Sequence, residues 1–256
     1  MALATDLRAA LFTYLIVHGD DNLILAQRLG EWSSRAPDLE DDIALTNIGL
    51  DHLGQARALL AYAGEVEGAG RDEDLLAFRR SEREYRNALL VEQPNGDYAQ
   101  TMARQLFFDA YQLSLWEALS VSTDATLAGI ASKALKEARY HYRHSGTWVV
   151  RLGDGTDESH RRMQAGVDAM WRFVGELFTR TAETEPLVAS GIGFDPTPWK
   201  SDWDERITAV LAQATLSVPN EPFVRTGGRE GLHTEHLGHL LSDLQYMQRT
   251  YPGLKW

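Results

Sequence analysis

The stretch LKEARYHYRHSGTW, Leu135–Trp148, carries an acid and a histidine that could bind a metal ion. Glu137 and His141 are four residues apart, so they share a face if the stretch is helical. A di-iron centre in a four-helix bundle uses Glu-x-x-His, a spacing of three, on each of two helices. Tyr140 stands three residues after Glu137, and Ala138 stands three before His141. The stretch is therefore an intact metal site, an altered one or no site.

The other histidines do not supply the missing spacing. Of the eight in the chain, only His160 and His233 have an acid three residues earlier, at Asp157 and Glu230. Both pairs follow glycine-rich segments at predicted helix starts. Acids are favoured there by the partial positive charge of a helix N-terminus. These two pairs are interpreted as first-turn acids, and the spacing alone predicts no complete di-iron set.

A small group of polar residues lies inside predicted helices and could still act as ligands. They are Asp51, His52, Gln55, Asp109, Glu137 and His141. Asp109 lies among aromatic and apolar residues, in RQLFFDAYQL, where an unpaired charge would cost several kcal/mol. We therefore predict that Asp109 faces solvent or makes a structural hydrogen bond to a neighbouring helix, because buried polar groups find partners.

Composition excludes several classes of function. The 256 residues include no cysteine, which rules out disulfides, thiolate nucleophiles and iron–sulfur clusters in this chain. The formal net charge of −12 argues against nucleic acid or an anionic membrane as the main partner. The apolar run AALFTYLIV, Ala9–Val17, is too short to span a bilayer and is a poor signal peptide. We expect a cytoplasmic protein.

The periodicity of apolar residues predicts helices along nearly the whole chain and no strand. The predicted ranges are about 3–30, 74–90, 124–152, 158–182, 203–215 and 232–249. A further helix starts near Pro37 and ends near GEVEGAGRDED, and another follows the turn EQPNGDY and reaches Leu119. We predict an all-α fold with one domain over residues 1–256. Its core bundle of four long helices covers about 3–155, and accessory helices cover about 156–256.

Five long strings resemble one bacterial family, the C-type structural subunits of the ring-1,2-phenylacetyl-CoA epoxidase, a multicomponent monooxygenase. The strings are GDDNLILAQRLGEW, NIGLDHLGQARALLAYA, LLVEQPNGDYAQTMARQ, KEARYHYRHS and RTGGREGLHTEHLGHLLSDLQYMQR. They follow one another in the family's order from about Leu15 to Trp256. The resemblance implies a ferritin-like four-helix bundle with additional C-terminal helices.

The resemblance also implies where a di-iron site once lay. The related catalytic A-type chain has a Glu on its first helix, Asp-Glu-x-x-His on the second, an Asp on the third and Glu-Glu-x-x-His on the fourth. Those six ligand positions fall here on Asn22, His52, Gln55, Asp109, Ala138 and His141. Asp51 and Glu137 are the neighbouring acids. Only Asp109 and His141 keep the ligand type, so the resemblance implies a vestigial site without metal or catalysis. We expect a hydrogen-bond network in its place, with Asp109 linked to His141 or His52.

The implied function is that of a non-catalytic subunit that pairs with and stabilises the catalytic A subunit, together with a B subunit and a reductase. The di-iron centre would belong to the catalytic subunit, and flavin, the iron–sulfur cluster and NADPH to the reductase. Two alternatives stay open. One is a metal-dependent oxygenase with an altered site built from Asp51, His52, Asp109, Glu137 and His141. The other is a general helical adaptor.

The C-terminal segment is the candidate interface. GLHTEHLGHLLSDLQYMQR mixes apolar residues with three histidines, a composition suited to an interface. The candidate contact residues are His233, His236, His239 and Tyr246. Because histidine-rich tracts sometimes bind metal, a metal role is the alternative for the histidines. The apolar side of this segment could equally cap the bundle.

Overall fold

The structure, a computed structural model, describes residues 5–221 and 223–254. Helices connected by turns and loops make up this part of the chain, and no strand occurs in it. The predicted all-α class is therefore confirmed, and it is consistent with a ferritin-like helical bundle. No helix among these residues has both the length and the apolar character needed to cross a membrane.

Four helices are much longer than the others. The helices are α1 (Thr5–Gly30), α2 (Leu39–Glu67), α3 (Glu73–Phe78), α4 (Leu89–Glu92), α5 (Tyr98–Leu119), α6 (Ala125–Gly153), α7 (Asp157–Trp171), α8 (Thr184–Ala189), α9 (Trp199–Gln213), α10 (Glu235–Leu244) and α11 (Tyr246–Thr250). Short 3₁₀ turns occur at Glu82–Glu84, Gly175–Phe178 and Gly228–Glu230. The predicted first helix began at Leu3, which lies outside the described residues.

Aspartates start three of the four long helices. The carboxylates of Asp38, Asp97 and Asp124 precede α2, α5 and α6, and each accepts a hydrogen bond from the backbone N–H three residues later, at 2.9 Å. Such an N-cap satisfies a backbone donor that has no partner within the helix and is worth about 1 kcal/mol. The acids that the sequence places before these helices therefore set where they begin.

The chain divides into two compact units, each containing one pair of long helices. Unit 1 comprises residues 5–94, 181–190 and 227–254 of the described chain, and in it α1 packs against α2. Unit 2 comprises residues 95–180 and 191–226, apart from 222, and in it α5 packs against α6, α7 and α9. One ferritin-like domain over the whole chain stays a prediction.

In unit 2 the central helix is α5, which is buried along almost its whole length. Its neighbour α6 is amphipathic instead. The buried residues of α6 recur every three or four positions, at Leu127, Ala131, Ala134, Ala138, His141, Ser145, Val149 and Gly153. This spacing keeps one face of the helix against α5. Trp203 of α9 closes the core and donates its indole N–H to the carbonyl of Phe107 at 2.9 Å.

The single helix predicted over residues 74–90 is wrong. This segment forms α3, a 3₁₀ turn and α4, joined by non-helical residues. The reason is a pair of carboxylates on α1. Asp20 accepts the backbone N–H of Arg86 at 2.9 Å, and Asp21 accepts that of Ala88 at 2.7 Å. Backbone donors that a helix would use internally are therefore bound to another element.

The helix predicted over Leu232–Arg249 begins later and is interrupted. The backbone N–H of Thr234 donates to the carboxylate of Glu92 at 2.7 Å, and α10 starts only after it. Gln245 separates α10 from α11, and its amide nitrogen donates to the carbonyl of Arg80 at 3.1 Å. Both changes result from contacts with residues distant in sequence.

The boundaries around α7, α8 and α9 also differ from prediction. The helix predicted over residues 158–182 ends at Trp171, and soon afterwards the carbonyl of Arg172 accepts the backbone N–H of Arg225 at 2.8 Å. Helix α8 was not predicted, and α9 begins at Trp199 rather than at Trp203. No helix-breaking residue stands at Trp171, so the sequence carries no local signal for that end.

Candidate functional site

Asn22 on α1 and His52 on α2, two of the six aligned positions, are joined inside unit 1. Both are buried. The amide nitrogen of Asn22 donates to the carbonyl of His18 at 2.8 Å, so its Oδ1 is the acceptor that lies 2.8 Å from His52 Nδ1. Because an amide oxygen cannot donate, we assign a proton to His52 Nδ1. The oxygen that stands at a ligand position is therefore already hydrogen-bonded to a histidine.

Gln55 lies one turn after His52 on the same buried side of α2, and Asp51 is half-buried. Where the resemblance places an imidazole, Gln55 offers a neutral amide, which is a weak ligand for iron. His52 and Gln55, the two aligned positions on α2, therefore add no negative charge to the interior of unit 1.

Asp109 on α5 is buried and bonded to a residue that the sequence reasoning did not single out. Its Oδ2 accepts a hydrogen bond from the hydroxyl of Ser145 on α6 at 2.7 Å. Burial raises the pKa of Asp109 to about 6, although the charge of His141 and the Ser145 hydrogen bond act in the opposite direction. The prediction of a structural hydrogen bond from Asp109 to a neighbouring helix is therefore confirmed, but its donor is Ser145, which was not predicted. The link from Asp109 to His141 or His52 stays a prediction.

The remaining aligned positions lie on α6. Ala138 and His141 are fully buried, and Ala138 offers no ligand atom. Glu137, the neighbouring acid, lies 3.7 Å from the ammonium group of Lys133 one turn earlier. Glu137 and His141 are thus both on α6, but one is half-buried and the other is in the core.

These residues do not fit a di-iron centre. Asp109 is the one acid among the six positions, Ala138 has no donor, and the oxygen of Asn22 is bonded to His52. Two iron ions carry more positive charge than one carboxylate and neutral groups can balance in a buried site. We assign no chemical step of this chain to iron at these positions.

The candidate interface residue His233 is not at the surface. Its side chain is fully buried in unit 1, with Nδ1 2.8 Å from Glu92 Oε2 and Nε2 3.1 Å from the carbonyl of Tyr85. Because both partners can only accept, the ring carries two N–H groups and is an imidazolium. Burial lowers the pKa of His233, but the hydrogen bond and charge of Glu92 outweigh it and raise that pKa above its usual value. His233 therefore binds internally.

The other three interface candidates differ in exposure. His236 is half-buried, and its carbonyl accepts a hydrogen bond from Arg28 at 3.4 Å. His239 is exposed, and so is Tyr246, which retains 59% of its accessible surface. His239 and Tyr246 are the members of the set that remain available to a partner, and their role there stays a prediction.

Two buried ion pairs in unit 1 involve aspartates of α1 that were not predicted as site residues. Asp20 and Asp21 are buried and pair with Arg80 and Arg229, the latter through two hydrogen bonds of 2.8 Å. Burial, followed by the nearby charge of Arg229, lowers the pKa of His18 to about 3. The ion pair between Asp21 and Arg229 joins the segments GDDN and RTGGREG, both of which belong to the strings that carry the family resemblance.

Glu92 joins the C-terminal segment to α4. Besides His233, its carboxylate accepts from the backbone N–H and the hydroxyl of Thr234, each at 2.7 Å, and from the amide of Asn87 at 2.9 Å. A buried carboxylate with this many donors is well satisfied. The signal in the sequence is an acid that directly follows three apolar residues, in LLVEQP, with no basic residue beside it.

Comparison with known proteins gives two matches that cover the chain. The model of a family described as phenylacetic acid catabolic protein matches residues 2–256. The C subunit of the 1,2-phenylacetyl-CoA epoxidase of Escherichia coli (strain K12) is 52% identical over 246 residues. That alignment covers 96% of this chain and 99% of the relative.

Proposed function

Because the chain belongs to the phenylacetic acid catabolic protein family, we propose that it is a non-catalytic subunit of a multicomponent di-iron phenylacetyl-CoA 1,2-epoxidase. Its task is to pair with the catalytic A subunit and stabilise it. The name of the Escherichia coli relative, which makes that protein one subunit of an epoxidase, supports membership of such an assembly. In this assembly oxygen and reducing equivalents convert phenylacetyl-CoA into its ring-1,2-epoxide.

One observation carries the non-catalytic part of the proposal. The amide of Asn22 and the imidazole of His52 bind each other at 2.8 Å, at positions where the resemblance places iron-binding carboxylates. Two ligand positions are thereby converted into a hydrogen-bonded pair between α1 and α2. A satisfied buried pair of this kind contributes to stability and needs no metal.

The pairing part is supported by an exposed apolar stripe on α2. Leu39, Ile43, Leu50 and Leu53 retain 69%, 53%, 59% and 46% of their accessible surface. Their spacing of four, seven and three residues places them along one side of the helix. Apolar residues aligned in this way on a surface mark a site of protein association. We assign the catalytic A subunit to this stripe, with His239 and Tyr246 as further contacts of unit 1.

The cofactors of the reaction reside in other chains of the proposed assembly. The catalytic subunit holds the di-iron centre, and the reductase supplies electrons from NADPH through flavin and an iron–sulfur cluster. The complex also includes a B subunit and works in the cytoplasm. The absence of cysteine from this chain is compatible with an iron–sulfur cluster held elsewhere.

Reconstitution from separately purified components tests the proposal. We expect the chain to co-purify with the catalytic subunit, and epoxidation to require both. Leu50→Asp should weaken pairing by about tenfold or more, since it buries a charge in an apolar contact. Val121→Asp, at an exposed apolar residue of unit 2, is the matched control. Epoxidation by this chain and the reductase without the A subunit would overturn the proposal.

A further inference from the structure

Helix α6 carries a basic face on its exposed side. We define this basic face as Lys133, Lys136, Arg139, Tyr140 and Arg143, all of which are exposed. At 3.6 residues per turn they fall within about a third of the helix circumference. Over the whole chain, 37 acids outnumber 25 lysines and arginines, so this face reverses the charge of the molecule locally.

Most of the basic face has no acidic partner within the chain. Lys133 lies 3.7 Å from Glu137, whereas none of the ion pairs found in the described residues involves Lys136, Arg139 or Arg143. Other exposed or half-buried cations of unit 2 behave differently. Arg161 and Arg162 pair with Glu158, Lys200 pairs with Asp204, and Arg180 pairs with Asp195. The unpaired cations of α6 are therefore available to an external acid.

The aromatic residue of the face indicates what kind of partner fits. Tyr140 retains 41% of its accessible surface, and the guanidinium of Arg143 lies 5.6 Å from the centre of its ring. Tyrosine and arginine are enriched in protein interfaces and at their energetic centres. The net charge of −12 disfavours approach of a polyanion such as RNA or of an anionic bilayer, whose charge extends well beyond one helix face.

We propose that the basic face of α6 is a docking surface for an acidic patch on another protein component of the epoxidase assembly. The cations attract the patch and set its orientation, and Tyr140 supplies apolar contact area. This proposal rests on the proposed function, because it takes the partner from the same assembly. It concerns unit 2, whereas the apolar stripe on α2 belongs to unit 1.

Charge reversal tests the basic face without disturbing the core, because the changed residues are exposed. Arg139→Glu/Arg143→Glu is compared with Arg161→Glu/Arg162→Glu, which changes the net charge equally on α7. Binding of each full-length chain to the purified catalytic subunit, B subunit and reductase is measured at low and high salt. We expect the α6 variant to lose about tenfold or more in affinity for one component at low salt, and less at about 0.5 M salt. The α7 variant should bind like the wild type.

The outcomes separate the two proposals. If the wild type binds its partners and the α6 variant binds each of them equally well, the docking role of the basic face is refuted and the proposed function stands. If the wild type binds none of the components, both are overturned. Parallel measurements use RNA and vesicles containing phosphatidylglycerol. If the α6 variant loses binding to RNA or to the vesicles but to no protein component, the proposal that a protein occupies the basic face is also refuted.

Discussion

The buried carboxyl of Asp109 makes the stability of the chain depend on pH. Its pKa in the folded state is raised to about 6 from 3.8 by burial, so the unfolded chain releases this proton first as pH rises. Between about pH 4 and 6 the folded state therefore loses stability relative to the unfolded state. A shift of two units corresponds to roughly 3 kcal/mol.

Asp109→Asn should remove this dependence while keeping an acceptor for Ser145. We expect the stability of the variant relative to wild type to increase by about 3 kcal/mol between pH 4 and pH 7. Chemical denaturation at several pH values measures the difference. Asp154→Asn, at an exposed acid, controls for the loss of one negative charge. A difference between Asp109→Asn and wild type that stays constant with pH would contradict the environment described for Asp109.

His233 should produce a pH dependence of its own. Its folded-state pKa is raised above the unfolded value of about 6.5, because Glu92 outweighs the effect of burial. The stabilisation is therefore complete below about pH 6.5 and is lost as pH rises through the folded-state pKa. His233→Gln should cost about 1.5–3 kcal/mol near pH 6, the value of a charged hydrogen bond, and less at higher pH.

Denaturation of His233→Gln and wild type near pH 6 and pH 9 provides the measurement. His239→Gln is the matched control, since His239 is exposed on α10, soon after His233 in the chain, and should change little at either pH. An equal loss for His233→Gln at both pH values would show that folding does not raise the pKa of His233, and it would contradict the charged hydrogen bond to Glu92.

At the aligned positions the sequence shows which residues are present, but it does not predict which partners their side chains contact. That Asn22, Gln55 and Ala138 stand where the resemblance places iron ligands can be read directly from the sequence. The bond between Asn22 and His52, and that between Ser145 and Asp109, require the relative rotation of two helices, which no local pattern encodes. His233 was misassigned to the surface because its partner Glu92 is 141 residues away.

Replacing two glycines of helix α2 by alanine should change the stability of the fold in opposite directions. A Cβ at Gly54 would meet nothing within 4 Å, whereas one at Gly64 would clash with the carbonyl oxygen of Arg71. Gly54→Ala should stabilise the isolated chain by about 0.5–1 kcal/mol through reduced backbone entropy. Gly64→Ala should destabilise it by more than about 1 kcal/mol. Thermal denaturation of both variants tests the packing of α2, and a shared sign would contradict it.

The C-terminal elements should be needed for folding as well as for any interface. Deleting residues from Leu232 onward removes His233 and Thr234 and leaves the buried Glu92 without these partners. Breaking such a buried contact costs about 3–5 kcal/mol. His239→Ala/Tyr246→Ala changes only exposed side chains and should alter stability by less than about 0.5 kcal/mol. Circular dichroism melts compare the two, and equal melting temperatures would contradict the internal role of the segment.

The long helices were predictable because their periodic apolar residues and aspartate caps are local signals. The predicted start at Asp124 agrees with α6, whose cap is that residue. The short elements between residues 73 and 92 were not predictable in the same way. Between them, the backbone N–H groups of Arg86 and Ala88 bind Asp20 and Asp21, more than 60 residues earlier, and such contacts override helix propensity.

At the scale of the whole molecule, two surfaces contrast with the acidic average. One is the apolar stripe of α2, and the other is the basic face of α6. Unpaired apolar and basic surfaces are expected of a chain that works inside an assembly, where other proteins cover them. The two surfaces differ in chemistry, one apolar and one charged, so salt should weaken contacts of the basic face more than those of the stripe.

The central claim is that this family member supports catalysis without holding the iron. Elemental analysis and Mössbauer spectroscopy of the isolated chain after anaerobic loading with ferrous iron test it most directly. We expect no stoichiometric iron and no di-iron signal, because Asn22, Gln55 and Ala138 cannot act as the carboxylate and imidazole ligands that the catalytic subunit is expected to have there. Two irons per chain with a di-iron spectrum would contradict it.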